Sequence, residues 1–345
     1  MWYAAKILFA VMAATCLSSC APVSRNMGLV LSGGGAKGAY EIGVWKALCD
    51  TGIDRRIKVY SGSSVGAINA TLFASIGDPD RCAKVWRESV GQVFVANNKA
   101  FQDSVQNTID DWDSLMGDIR KGKEPGESLS AAEKVGAVVV LTMSMVVRAA
   151  EKVNVALQGP SNSVGVCDSG RLREVLERSL PEYWRPDPPI VYVNALEKDS
   201  GVVKFFQLNG NKRDCIIDYL MASSAIPGVF DSVEIDGVLY VDGGFEQRGG
   251  DNIPIKPIRD KHPDVKDVFV VYLKSAENLK RRITPDEFKG GRLIEIIPSC
   301  DIGGALGGWQ GTFDLSDEKV EFLIKLGYED TMRVLEEKGF NRLKD

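Results

Sequence analysis

The chain has 345 residues, 44% hydrophobic and 26% charged. That suits one large globular domain or two modest ones and argues against extensive disorder. A net charge of -5 and a pI near 5.3 leave no basic footprint for nucleic acid, and the single histidine, His262, excludes any metal site built on two histidines.

Residues 1–19 read as an export signal: one positive charge at Lys6, a short apolar run over residues 7–14, then Leu17-Ser18-Ser19-Cys20. The apolar run is too short to span a bilayer as a stable helix. Leu-Ser-Ser-Cys resembles the lipobox of bacterial lipoproteins. That resemblance implies cleavage before Cys20, diacylation of its thiol and a lipidated tether over residues 20–26. Two or three acyl chains give lasting anchorage where one does not. By the same resemblance, Ala21 implies an outer-membrane destination, facing the periplasm or the cell surface. A plain signal peptide with an incidental cysteine is the alternative. Cys49, Cys82, Cys167, Cys215 and Cys300 are widely and irregularly spaced, with no C-x-x-C pair, so no metal or redox motif is present. Burial as small hydrophobes is expected of them.

Residues 27–32 form an apolar strand pattern, 33–38 a glycine-rich turn and 39–49 a helix pattern. The small residues Ala39, Gly43 and Ala47 make a stripe that would let this helix lie close on a sheet. Residues 57–60 give a second strand, 61–66 a second tight turn and 65–76 a second helix. Strand, glycine turn and helix twice over predict an α/β domain. Residues 97–165 read as a helical insertion, with Ser130 and Glu133 at capping-box spacing. Within it, residues 135–147 carry no charge. They are too short for a membrane span and suit a buried helix, with a lid or interfacial segment as the alternative.

Strand patterns return at 190–196 and 202–208, around Asp199-Ser200-Gly201, and again at 233–235 and 238–241, around Asp236-Gly237. Both read as hairpins. A helix over 214–225 stops at Pro227. Residues 267–273 are a strand. A last helix follows Ser316, with Val320, Leu323, Ile324, Gly327, Tyr328 and Thr331 on its inner face and Gly339 at its end.

Gly33-Gly34-Gly35-Ala36-Lys37-Gly38 satisfies G-x-G-x-x-G between a strand and a helix. A dinucleotide site would need a carboxylate closing the second strand, which instead ends Val59-Tyr60-Ser61-Gly62. A Walker loop would need Ser or Thr after Lys37, where Gly38 stands. An oxyanion hole fits: backbone N–H groups converge where a helix dipole favours negative charge. A structural turn is the plain alternative.

Gly62-Ser63-Ser64-Val65-Gly66 matches G-x-S-x-G, with a strand before it and a helix after, the context of a nucleophile elbow. Its register selects Ser64, and Gly62 and Gly66 permit strained dihedrals and close packing. Two bases compete. Asp242 followed by His262 has the chain order of a Ser-Asp-His triad. Yet His262 lies in the charged run Arg259-Asp260-Lys261-His262-Pro263-Asp264 before a strand, where a solvated loop histidine is expected. Asp242, at a strand end before Gly243 and Gly244, could take the proton directly if burial raised its pKa. Supporting the turn is its structural alternative.

The glycine loop, the elbow and Asp242-Gly243-Gly244, in that order, resemble the patatin-like phospholipases. So do the block over residues 219–244 and Gly327-Tyr328-Glu329-Asp330. The similarity runs through most of residues 27–338, least so at 97–165 and 251–260. It implies a three-layer α/β/α domain over 27–340 with a mostly parallel central sheet. It implies Ser64 as nucleophile, Asp242 as base, and Gly33, Gly34, Gly35 and Gly38 as the oxyanion loop. The implied reaction is hydrolysis of acyl esters of phospholipid or lysophospholipid at a membrane surface, with no metal or organic cofactor and no stated protein partner. One departure stands beside the site: the family's Asn-x-Pro follows the DGG closely, whereas Asn252-Ile253-Pro254 comes after the seven-residue span 245–251. The alternative is a non-catalytic lipoprotein that keeps the fold and binds lipid or a protein.

Overall fold

A computed structural model describes residues 26–89, 169–182, 184, 187–227, 229–303 and 316–340. The export signal with Cys20, the insertion 97–165 with its uncharged run 135–147, and Cys167 lie outside the described residues.

Short apolar runs make the centre of an eight-stranded sheet. In β1 (Met27–Leu31) all five residues are buried, Leu29 and Leu31 toward one face and Val30 toward the other. Alternate side chains of a strand point to opposite faces, and burial on both marks a covered parallel sheet. β1 lies between β2 (Ile57–Ser63) and β7 (Asp267–Val271), parallel to both, and β8 (Arg292–Ile296) continues in parallel beyond β7. On the other side, β3 (Ile190–Glu197) runs parallel to β2. Three antiparallel strands complete the sheet: β4 (Val203–Gln207), β5 (Val233–Ile235) and β6 (Val238–Asp242). The β5–β6 hairpin turns at Asp236 and Gly237, with φ of 51° and 77°, the left-handed pair that two-residue hairpin loops require.

One face is covered by α1 (Ala39–Asp50), α2 (Val65–Ser75), α3 (Pro79–Ser89), α4 (Ser169–Ser179), α5 (Arg213–Ser223) and α7 (Asp317–Glu337), which share the larger core. The opposite face is closed by the short α6 (Lys256–Lys261) with Ile253, Ile283 and Phe288. The three layers expected from the sequence are present but unequal. β8, α3, α4 and α6 carry no signal singled out above; each is short and rich in charged residues, so its apolar pattern is thin.

Gly43, in the small-residue stripe on α1, meets α7 rather than the expected sheet. A Cβ on Gly43 would stand 1.9 Å from the carbonyl oxygen of Ile324, and one on Gly327 2.0 Å from that of Tyr40. Gly43 and Gly327 therefore let α1 and α7 approach backbone to backbone. Beside this contact the Tyr40 hydroxyl donates to Asp330 at 3.0 Å; Asp330 and Thr331 are buried polar groups of α7, whereas Tyr328 is half-buried. Cys49, Cys82, Cys215 and Cys300 are free thiols, Cys82 buried and Cys300 exposed. Among the described residues no helix is long and apolar enough to cross a membrane.

Candidate active site

β2 continues through Ser63 and α2 begins at Val65, so the whole reversal falls on Ser64, with φ 54° and ψ -124°. Positive φ is costly for a residue with a side chain and persists only where its surroundings enforce it. Here they do. A Cβ on Gly62 would lie 2.2 Å from the Gly66 carbonyl oxygen, and one on Gly66 2.4 Å from that of Leu31. The two glycines let strand and helix close around Ser64, and its N–H is fixed by donation to the Ser223 hydroxyl at 2.9 Å.

Strand register brings Asp242 to this turn. β4 occupies one edge of β3 along Tyr192–Leu196, which leaves β2 and β6 on the other edge. β2 pairs as far as Ser63 opposite Asn194, and β6 ends with Asp242 opposite Ala195. The two strands therefore meet end to end, which sets the Ser64 hydroxyl beside the Asp242 carboxylate in one cavity. The N–H of Gly244 donates to the same carboxylate at 2.8 Å. Burial pushes the Asp242 carboxyl up to about 6, although the nearby Ser64 hydroxyl and the Gly244 N–H favour its ionised form. A carboxylate of that strength is matched to proton transfer near neutral pH. Gly243 belongs to the same tight turn, since a Cβ there would meet Asn194 at 2.4 Å.

His262 is elsewhere. It caps α6, half-buried, with Nε2 3.2 Å from the Tyr192 hydroxyl, and borders neither cavity at Ser64. Desolvation lowers its pKa. The expected solvated loop position is thus replaced by a packed one.

The four glycines of the loop separate into distinct roles. Gly33 donates its N–H to Asn252 Oδ1 at 3.1 Å, and Gly38 lies away from the cavity, its missing Cβ making room for Val65 and Trp86. Gly33, Gly34 and Gly35 all border the cavity that holds Ser64 and Asp242, and of the three the N–H of Gly33 is the one taken by Asn252. Behind the loop, Asn69 Nδ2 donates to the Gly38 carbonyl at 3.0 Å and to the buried Glu41 at 2.7 Å, while Trp86 donates to Asn69 Oδ1 at 2.8 Å. Burial holds the Glu41 carboxyl well above the usual carboxylate range.

The seven-residue span after Gly244 closes on itself. Gly250 N–H bonds the Phe245 carbonyl at 3.1 Å, Asp251 N–H bonds that of Gly243 at 2.8 Å, and Asn194 Nδ2 donates to the Asp251 carbonyl at 2.7 Å. The chain so returns to Asn252, which reaches Gly33 despite the span. Asn69, Asn194 and Ser223 escaped the sequence reading because their partners are remote in the chain. Ser223 at least lay inside the block quoted for the family resemblance.

Two cavities meet at Ser64. One is walled by apolar side chains, among them Ile68, Leu72, Trp86, Leu176 and Phe230. The other is polar and holds Asp242, Asn252, Lys37, Lys274, Lys280 and the rim carboxylates Glu246 and Asp301. Ile226 borders both. Among the described residues no group of three or more His, Cys, Asp or Glu could hold a metal ion.

A sequence model of the patatin-like phospholipases matches residues 29–258. The chain belongs to the patatin-like phospholipase family. Over 54 residues, 16% of its length, this patatin-like chain is 48% identical to lysophospholipase nte1 of Aspergillus terreus, a stretch that spans only 3% of that protein. VipD from Legionella pneumophila is a similar solved structure, at 19% identity and a TM-score of 0.44, covering 91% of this chain and 67% of VipD. ExoU in its complex with SpcU from Pseudomonas aeruginosa is similar at 19% identity and a TM-score of 0.40, covering 91% of this chain and 52% of that one.

Proposed function

We propose that this protein is an exported serine acyl hydrolase that cleaves fatty acids from phospholipids or lysophospholipids through Ser64 and Asp242. The observation that carries this reading is the Ser64 hydroxyl beside a buried carboxylate at the junction of an apolar and a polar cavity. An ester with one greasy and one polar half fits that junction, its carbonyl carbon at Ser64.

Ser64 Oγ attacks the carbonyl carbon as its proton passes to Asp242. The negative charge that develops on the carbonyl oxygen is met by the N–H groups of Gly34 and Gly35, at the start of the turn leading into α1. Collapse of the tetrahedral intermediate breaks the ester bond, and the leaving alcohol takes the proton from Asp242. Water, its proton drawn by the same carboxylate, then attacks the acyl-serine; as the ester bond breaks, Asp242 returns that proton to Ser64 Oγ and the fatty acid leaves.

A fluorophosphonate probe with intact-mass analysis tests this. Labelling at Ser64, lost in Ser64→Ala, supports the hydrolase. Folded protein that stays unlabelled supports instead the non-catalytic binding lipoprotein.

The Leu17-Ser18-Ser19-Cys20 sequence supports anchorage by lipid at Cys20, facing the periplasm or the cell surface from an outer membrane. Cys20→Ser abolishes labelling by radioactive palmitate on this reading; persistent labelling rejects it.

A further inference from the structure

The polar cavity holds three lysines at graded depth. Lys37 is buried at 4% exposure, on the glycine loop itself. Lys274 is half-buried three residues past the end of β7, directly after Leu273, whose side chain packs on Gly34. Lys280 is exposed at the mouth. Among the described residues neither Lys274 nor Lys280 joins an ion pair. Lys37 and Lys274 are close enough to oppose each other: burial first, then Lys274, brings the Lys37 ammonium down to about 8, with Asp301 acting the other way.

Carboxylates are present too, but Glu246 and Asp301 are exposed on the rim. Only Asp242 lies deep, at Ser64. Away from Ser64, Lys37 and Lys274 thus lie deeper than the added acids, and Lys280 shares the mouth with them. Like charges gathered in a confined space raise one another's energy, and an anion between them removes that cost. The position beyond the carboxyl ends of parallel strands is where open α/β sheets bind their ligands.

Resting on the hydrolase reading above, we infer that the polar cavity is an anion subsite for a phosphate group on the alcohol half of the substrate, held by Lys274 and Lys280 above a floor set by Lys37. The acyl chain in the apolar cavity fixes the ester at Ser64, and among the described residues the lysine-lined side is then the space left for the alcohol half. The subsite selects phosphate-bearing esters over neutral glycerides of the same chain.

The test compares 1-octanoylglycerol 3-phosphate with 1-octanoylglycerol, which share the scissile bond and differ by the phosphate. For the full chain, kcat/KM favours the phosphate ester by about ten-fold or more. The combined Lys274→Gln and Lys280→Gln protein brings the ratio near one, and Lys280→Gln alone moves it the same way. A wild-type ratio at or below one, or a ratio the substitutions leave in place, overturns the inference. Calorimetric binding of the same two compounds to Ser64→Ala protein needs no turnover and carries the same expectation. Binding preference without hydrolysis of either ester sinks the hydrolase reading and leaves the subsite standing; hydrolysis without preference does the reverse. Inorganic phosphate bound as tightly as the phosphate ester assigns the site to free phosphate and overturns the headgroup assignment.

Discussion

The backbone N–H of Ser64 donates to the hydroxyl of Ser223, 2.9 Å away, and the carbonyl of the same Ser223 accepts from Gly243 N–H at 3.3 Å. One residue at the end of α5 thus ties the Ser64 turn to the Asp242 turn. Ser223→Ala strands the buried Ser64 N–H, at a cost of about 1–3 kcal/mol. Small misplacements of a nucleophile are expensive, so kcat on a soluble ester falls by about 10- to 100-fold with a smaller change in KM. Steady-state kinetics beside a melting curve checks this; an unaltered kcat shows that the turn holds itself.

Asp242→Asn keeps the shape of the side chain and removes the proton acceptor. Activity falls by about three orders of magnitude or more, and Ser64→Ala falls as far. The double substitution loses little beyond either single one, because the two groups act as a unit. Additive losses in a double-mutant cycle would separate their roles.

The raised pKa of Asp242 sets two pH dependences. The proposed mechanism needs the ionised base, so kcat/KM of the free enzyme rises with pH through an apparent pKa of about 6. Stability moves oppositely. The ordinary value is 3.8, so between about 4 and 6 the folded chain holds a proton that the unfolded chain releases, and stability falls as pH rises through that window. Asp242→Asn has no such proton. It should stabilise the fold at pH 8 by on the order of 2–3 kcal/mol and by little at pH 4. Denaturant titrations at the two pH values decide this; equal effects at both would remove the burial account.

His262→Ala keeps activity within a few-fold, on the order of 1 kcal/mol or less in barrier height. Its lost contact is the Tyr192 hydroxyl at 3.2 Å, away from Ser64. If the folded variant is as inactive as Ser64→Ala, a histidine-dependent mechanism replaces the one proposed.

Gly43→Ala places a methyl group 1.9 Å from the backbone oxygen of Ile324. Backbone cannot rotate away as a side chain can, so α1 and α7 must separate. Overpacking of this kind costs about 1–3 kcal/mol or more. The melting temperature drops with Gly43→Ala, whereas Ala47→Gly, on the same helix, does not reproduce the steric effect. Equal melting of Gly43→Ala and wild type would show that the helices slide freely.

The legible features were local ones. A strand before and a helix after Gly62–Gly66 identify Ser64 as the residue at the apex of the turn, because such a turn needs small neighbours within a few residues. Asp236-Gly237 announces its hairpin through the same kind of local demand on φ. The α/β class follows from repeated strand, glycine turn and helix. The carboxylate that reaches Ser64 is a different matter. Asp242 and the Asp242–His262 order were both open in the sequence, and the choice depends on β2 and β6 sharing one edge of β3, a register between segments more than a hundred residues apart. Gly43 shows the same limit. Its spacing marks a close approach, but only packing reveals α7 rather than the sheet as the partner. Asn252 also meets Gly33 only because residues 245–251 fold back on themselves. Dihedral demands and small-residue spacing are set by neighbours in the chain. Which groups those positions meet is set by strand register and helix packing, long-range terms that no short window of sequence contains.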